Sequence, residues 1–184
     1  MALLRRLPKQ LREMDSTTFD LGRIDVAVAK SVRDMLTTPQ KAVLLLGEVG
    51  IGKTHLLVSK FKQHIACCVR DEVLWYGADD VAEELRLMAL HGPEDPPRLF
   101  ELVALEKPFH LYWDDLDKMK LSESADAQLF RLLNGMMLLG CRISATTNMS
   151  LDELGEIWSP ALLRRLTEML DGVIEVVEQK GEAA

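Results

Sequence analysis

The sequence predicts an α/β protein of three layers, a five-stranded parallel sheet covered by helices on both faces. Three observations predict it. Short apolar runs alternate along the chain with longer stretches of helical spacing. One run, "KAVLLLG" at 41–47, leads into the glycine-rich "GEVGIGKT" and then into a helical pattern. Another, "FHLYWDD" at 109–115, ends in two aspartates. Alternation of this kind favours parallel pairing, because a parallel connection needs a crossover and a helix commonly supplies it.

Residues 1–20 read as irregular, with Pro8 and the turn-forming "DSTTFD". A helix is predicted over 24–36, with Ile24, Val28, Val32 and Leu36 on one face and Pro39 beyond its end. The first strand is 42–46. The helix after the glycine-rich segment runs over about 53–66, with Leu56, Leu57, Phe61 and Ile65 at helical spacing. "EVLWYG" at 72–77 is the second strand, and Asp79 is placed to cap a helix over 80–90. The breaker-rich "HGPEDPP" at 91–97 is a loop, followed by a short helix at 98–105. The third strand is 109–115, an amphipathic helix spans 124–140, and "CRISATTN" at 141–148 is the fourth strand. A helix at 159–170 carries Pro160 in its first turn, and "GVIEVV" at 172–177 is the last strand. The expected organisation is an N-terminal segment and helix (1–40) packed on a core (41–178), then a loose tail (179–184). The fifth strand comes so late that no separate lid domain is expected.

Composition narrows the function classes. The chain has 184 residues, 48% hydrophobic and 28% charged, enough for one domain with a substantial core. A net charge of -7 argues against a strongly basic nucleic-acid module. Cys67, Cys68 and Cys141 have no metal-ligand spacing, and an odd, sparse set fits free thiols in a reducing cytoplasm. The first residues lack the long apolar stretch of a secretory signal, and no apolar run approaches membrane-spanning length, so no membrane partner is expected.

"GEVGIGKTHL" fits G-x-x-x-x-G-K-[ST] with Gly47, Gly52, Lys53 and Thr54 in the fixed places. Glycines let the backbone curl so that successive N–H groups of Gly47, Glu48, Val49, Gly50, Ile51 and Gly52 can face phosphate oxygens. Lys53 reaches the β- and γ-phosphates in such a loop, Thr54 offers its hydroxyl to Mg²⁺, and the helix start adds partial positive charge through Lys53, Thr54 and His55. Strand, loop and helix in succession is the context this motif requires. ATP with Mg²⁺ is therefore the expected ligand.

"HLYWDD" places two carboxylates at the end of a strand, where ligands bind in a parallel sheet. Asp114 is the candidate for holding Mg²⁺ through water, and Asp115 for orienting or deprotonating an attacking water. Asp117 reads as a turn or short-helix residue. "ISATTN" ends in Thr146, Thr147 and Asn148, which on local sequence reads equally as turn chemistry or as a water-positioning group. Arg164 and Arg165 read locally as a solvated helix face, since cations suit a helix's C-terminal half.

Taken together these segments resemble the AAA+ ATPases, and within them the DnaC/IstB-type helicase loaders and transposition-helper ATPases. "LPKQLREMDSTTFD" is similar to that group's segment before the core, "GEVGIGKTHL" to its Walker A loop including the histidine, and "LYWDDLD" to its Walker B. "ATTNMSLDEL" resembles its sensor 1 strand and turn, with Asn148 at the sensor position. "LLRRL" resembles its arginine-finger motif, with Arg165 at the matching position. The resemblance implies an ATPase with Asp115, Asn148 and Arg165 in catalytic roles, Arg165 acting on a neighbouring subunit. It implies self-association or a replicative helicase ring as partner, with single-stranded DNA a further candidate that the acidic, proline-rich 91–108 does not support. His55 follows the group's pattern, though packing or capping suits its side chain better than catalysis. Trp75, Tyr112 and Trp113 read as core rather than as a base-stacking platform. Two other readings are a non-hydrolysing, ATP-gated adaptor and, less favoured, a P-loop kinase, for which no arginine-rich lid is seen.

Overall fold

Five strands, β1 (Val43–Leu46), β2 (Glu72–Gly77), β3 (Phe109–Asp114), β4 (Arg142–Thr147) and β5 (Gly172–Glu175), pair in parallel in the order β2-β3-β4-β1-β5. This computed structural model describes residues 7–67 and 72–179. The helices are α1 (Val26–Thr37), α2 (Lys53–Cys67), α3 (Ala78–His91), α4 (Arg98–Ala104), α5 (Glu123–Leu138), α6 (Leu151–Ile157) and α7 (Pro160–Glu168).

Both faces of the sheet are buried, as expected where helices cover both sides. Side chains alternate along each strand, so Val43 and Leu45 point to one layer and Leu44 to the other. The first layer is α1 and α2, packing Val32, Met35, Leu56, Leu57 and Phe61 against Val73, Trp75 and Tyr112. Leu7 and Ile24 from the N-terminal segment join the same cluster. The second layer is α3 to α7, packing Val81, Leu99, Leu133, Trp158 and Leu162 against Leu74, Leu111, Trp113 and Ile143. Trp75, Tyr112 and Trp113 are all buried, so the aromatic residues are core, as the sequence indicated.

Several boundaries differ for identifiable reasons. Helix α1 starts at Val26, because the Asp25 carboxylate accepts from the Ala27 and Val28 N–H groups while Ile24 bridges to Glu178. Asp79 does not cap α3. The helix begins at Ala78 with Gly77 as N-cap, and it is Asp80 whose carboxylate accepts the Gly77 N–H at 2.7 Å. Asp115 leaves β3 in a left-handed conformation, φ 60° and ψ 54°, so the third strand ends at Asp114. Helix α6 was not anticipated between the fourth strand and α7. It opens with a reciprocal cap, the Glu153 N–H donating to Ser150 Oγ and the Ser150 N–H to the Glu153 carboxylate. Cys67 ends α2 and is exposed, Cys141 is buried, and Cys68 lies outside the described residues.

The strand order positions the site. β4 lies between β3 and β1, and the register sets Trp113, Ala145 and Leu44 on one rung. Within two residues of that rung the chain leaves the sheet at neighbouring points: beyond Asp114 in β3, beyond Thr147 in β4 and into the glycine-rich loop after Leu46.

Candidate functional site

The loop between β1 and α2 is built on three glycines with positive φ: Gly47 at 143°, Gly50 at 86° and Gly52 at 99°. At Gly47 a Cβ would sit 2.3 Å from the Val176 carbonyl oxygen, and at Gly52 it would sit 2.5 Å from the Phe19 ring. Glycine at these two places is thus required by close packing as well as by backbone conformation. Phe19 also meets the His55 ring edge-on, with centroids 5.4 Å apart. The His55 Nε2 lies 2.9 Å from Thr18 Oγ1 and 2.8 Å from the Asp15 carbonyl. The His55 side chain therefore ties the N-terminal segment to the loop's helix and does not face the loop's interior. Its backbone N–H still belongs to the first turn of α2, ahead of the bond from the Leu56 N–H to Gly52 O.

Lys53 is buried, 5% exposed, at the start of α2. Its ammonium donates to Gly47 O at 2.8 Å, to Glu48 O at 2.7 Å and to Asn148 Oδ1 at 2.8 Å. All three acceptors are neutral. Burial lowers the lysine's pKa, and the carboxylates of Asp115, Asp117 and Asp114 oppose that shift. A cation held by neutral dipoles in a glycine-rich loop is suited to an anion with several oxygens.

Thr54, the next residue, donates its hydroxyl to Asp114 Oδ1 at 3.0 Å, and Thr146 donates to the same oxygen at 2.6 Å. Burial raises the pKa of Asp114, and the neighbouring Asp115 raises it further, while the Thr146 and Thr54 hydroxyls lower it. A hydroxyl and one carboxylate side by side, next to the glycine-rich loop, is a donor set that fits Mg²⁺, which keeps several waters and takes few protein ligands. Among the described residues no group of three or more His, Cys, Asp or Glu side chains forms a separate metal cage.

Asp115 follows, with its N–H on Thr146 Oγ1 at 2.8 Å and its carboxylate ion-paired with Lys118. Asn148, just past β4, donates its backbone N–H to Asp117 Oδ1 at 2.8 Å and its side-chain Nδ2 to Asp117 Oδ2 at 2.9 Å. The structure thus brings together the 47–54 loop, Asp114, Asp115 and Asn148. It does not bring in Arg165. The Arg165 guanidinium donates to Glu168 at 2.6 Å and to the Met137 sulfur at 3.5 Å, and lies 6.0 Å from the Phe130 ring centre. Among the described residues, none of its polar contacts involves the loop or the aspartates. The sequence reading missed Lys118 and the Asp117–Asn148 contact.

A cavity of about 420 Å³ adjoins the loop at the carboxyl ends of β1 and β5, lined by Glu48, Val49, Ile51, Glu175 and Val177 among others. Its size suits the rest of a small ligand anchored by the loop. A somewhat larger cavity, about 480 Å³, lies at the opposite end of the sheet, where Phe109, His110 and Arg142 begin their strands. It is remote from Lys53.

Known proteins share this architecture. The structure of the DnaC helicase loader superimposes with a TM-score of 0.73 at 18% identity, covering 92% of this chain and all of its own. A replication initiator DnaA bound to AMPPCP and single-stranded DNA superimposes with a TM-score of 0.67 at 21% identity, covering 89% of this chain and 50% of its own. The fold is that of an AAA+ P-loop NTPase. In sequence, the chain is 28% identical over 173 residues to a Geobacillus stearothermophilus protein of insertion sequence IS5376, named as an ATP-binding protein, with 90% of this chain covered. The chain spans 65% of that relative's length and half of the DnaA chain. No protein-family model matches it. These likenesses support the resemblance to the DnaC/IstB type that the motifs carried. No helix among the described residues is long and apolar enough to cross a membrane.

Proposed function

We propose that this chain binds ATP with Mg²⁺ at the 47–54 loop and hydrolyses it, as a remodelling ATPase of DNA replication or transposition resembling a helicase loader. The observation that carries the proposal is the Lys53 ammonium, which joins the loop carbonyls to Asn148 beside the Thr54–Asp114 pair. Three separate segments of the sequence, the 47–54 loop and the ends of β3 and β4, converge there on a site suited to a polyphosphate and a divalent cation.

In this reading the loop N–H groups and Lys53 bind the phosphates. Thr54 and Asp114 hold Mg²⁺, which when bound neutralises charge on the phosphate oxygens. Asp115 orients the attacking water and takes its proton, and Asn148 fixes that water's position. Arg165 is proposed to serve the site of a neighbouring copy, or of a partner ring, because no contact brings it to its own. The helicase-loader role, the helicase ring and single-stranded DNA as partners rest on the likeness to DnaC and to the DNA-bound DnaA.

A second reading has an observation in its favour. The Asp115 carboxylate is engaged by Lys118 and Arg165 by Glu168, so the two charged members of the three catalytic candidates hold internal partners. That suits an adaptor in which ATP orders a binding surface without being hydrolysed.

The deciding experiment is the ATPase rate per molecule across a wide range of protein concentration. A rate that climbs with concentration is expected for sites completed between subunits. A flat, substantial rate would remove Arg165 from the mechanism. No turnover at any concentration, with the candidate helicase and DNA present, would favour the adaptor.

A further inference from the structure

Asp117 sits two residues beyond the Walker B pair, in the 3₁₀ turn Leu116–Lys118, and nothing in the motif assigns it a task. Its two carboxylate oxygens take different donors from Asn148, beside a further hydrogen bond from the Thr147 side chain. Oδ1 accepts the Asn148 backbone N–H at 2.8 Å, and Oδ2 accepts the Asn148 side-chain Nδ2 at 2.9 Å. The other end of the same amide, Oδ1, accepts from Lys53 Nζ at 2.8 Å. The amide therefore bridges an anion and a cation, and its orientation is set by chemistry. Reversing it would put its NH₂ against an ammonium and its carbonyl against a carboxylate, like against like at both ends.

We infer that Asp117 is the positioning residue that locks the Asn148 amide with its carbonyl oxygen facing Lys53 and the phosphate loop. The inference rests on the hydrolysis proposed above and adds to it. An Asn148 locked this way presents an acceptor, so it can orient an attacking water through one of that water's hydrogens or steady the lysine. One of its Nδ2 hydrogens is committed to Asp117. An Asn148 free to turn would present donor and acceptor in turn, and the water's lone pair would lose its fixed direction. Misalignment of this kind can cost about 100-fold in rate with little effect on binding. Asp117 holds Asn148 across 31 residues of sequence, which makes it a link between the turn after β3 and the end of β4.

The test is Asp117→Asn, which keeps shape and one acceptor for the Asn148 backbone but sets an NH₂ against an NH₂. The expected result is a kcat lower by about 10- to 100-fold with KM for ATP within about threefold, because a supporting contact orients the group that acts. Asn148→Ala should show the same loss, and the double variant should be no worse than Asn148→Ala alone, since the two residues act as one unit. Wild-type turnover in Asp117→Asn would overturn the inference, as would losses that multiply in the double variant. A wild-type protein with no turnover would remove the hydrolysis reading instead. The inference is then decided by nitrogen-15 NMR of the Asn148 side-chain NH₂, identified by its absence in Asn148→Ala. Signals that move in Asp117→Asn support the lock, and signals that stay in place overturn it.

Discussion

At the scale of residues, Asp115 carries the largest tension in the site. Its left-handed backbone is uncommon for a residue with a side chain, though aspartate tolerates it better than most. The bond from its N–H to Thr146 holds it there, and Lys118, one short turn on, neutralises its carboxylate. A carboxylate held by an ammonium has to release that partner before it can engage an attacking water. The pair is accessible to water, the Lys118 side chain being 63% exposed, so it is worth no more than about 1 kcal/mol and is weakened by salt. Lys118→Gln should therefore raise basal ATP turnover by about two- to fivefold with stability changed by less than about 0.5 kcal/mol. Steady-state rates at two ionic strengths check it, because moderate salt should narrow the gap between variant and wild type. A slower Lys118→Gln would place Lys118 on the phosphate instead of on the base. The glycine-rich loop was legible in the sequence because its residues act at fixed spacing within one segment. Lys118 and Asp117 were not, because their roles depend on which strand ends lie side by side, and "DDLDK" alone reads equally well as a solvated turn.

At the scale of elements, the strands and long helices were legible because each buries a face with a clear period. Helix α6 was not, since seven residues give too little periodicity, yet Ser150 and Glu153 in "SLDEL" spell the capping pattern that marks its start. The packing of one helix on another was likewise hidden until the layers were assembled. Gly135 lies inside α5, where glycine costs roughly 1 kcal/mol of helix propensity relative to alanine. A Cβ there would stand 2.6 Å from Val103 Cγ1 on α4, so the glycine is kept for a close approach between the two helices. Valine is stiff at χ1 and cannot easily swing aside. Gly135→Leu should accordingly destabilise the fold by about 1–3 kcal/mol, and thermal unfolding would show the midpoint falling by several degrees. Adding Val103→Ala should recover part of the loss. A midpoint unmoved by Gly135→Leu would mean that α4 and α5 are not in close contact in solution.

At the scale of the whole molecule, the question is whether one copy holds a complete site. The net charge of -7 gives no general attraction for DNA, so recognition between protein surfaces is the more natural route to assembly. Arg165 is the residue proposed to connect the site to assembly. Its side chain is only 17% exposed and its guanidinium lies against α5 with Glu168 as counter-ion, whereas Arg164 beside it is 65% exposed. To reach a phosphate on another copy, Arg165 would exchange Glu168 for the stronger anion, a planar guanidinium being well suited to either. Arg165→Ala should then lower turnover by at least about 100-fold without changing ATP affinity, the scale expected for an arginine supplied to a neighbouring site, while Arg164→Ala stays within about twofold. Mixing Arg165→Ala with Lys53→Ala separates action between copies from action within one. Each variant alone is inactive, but together they form an interface where an intact loop meets an intact arginine, and turnover should return. If the mixture stays inactive while wild type is active, Arg165 serves its own subunit. If Arg164→Ala is the damaging change instead, the exposed arginine is the one that crosses the interface, and Arg165 is held by Glu168 for packing alone.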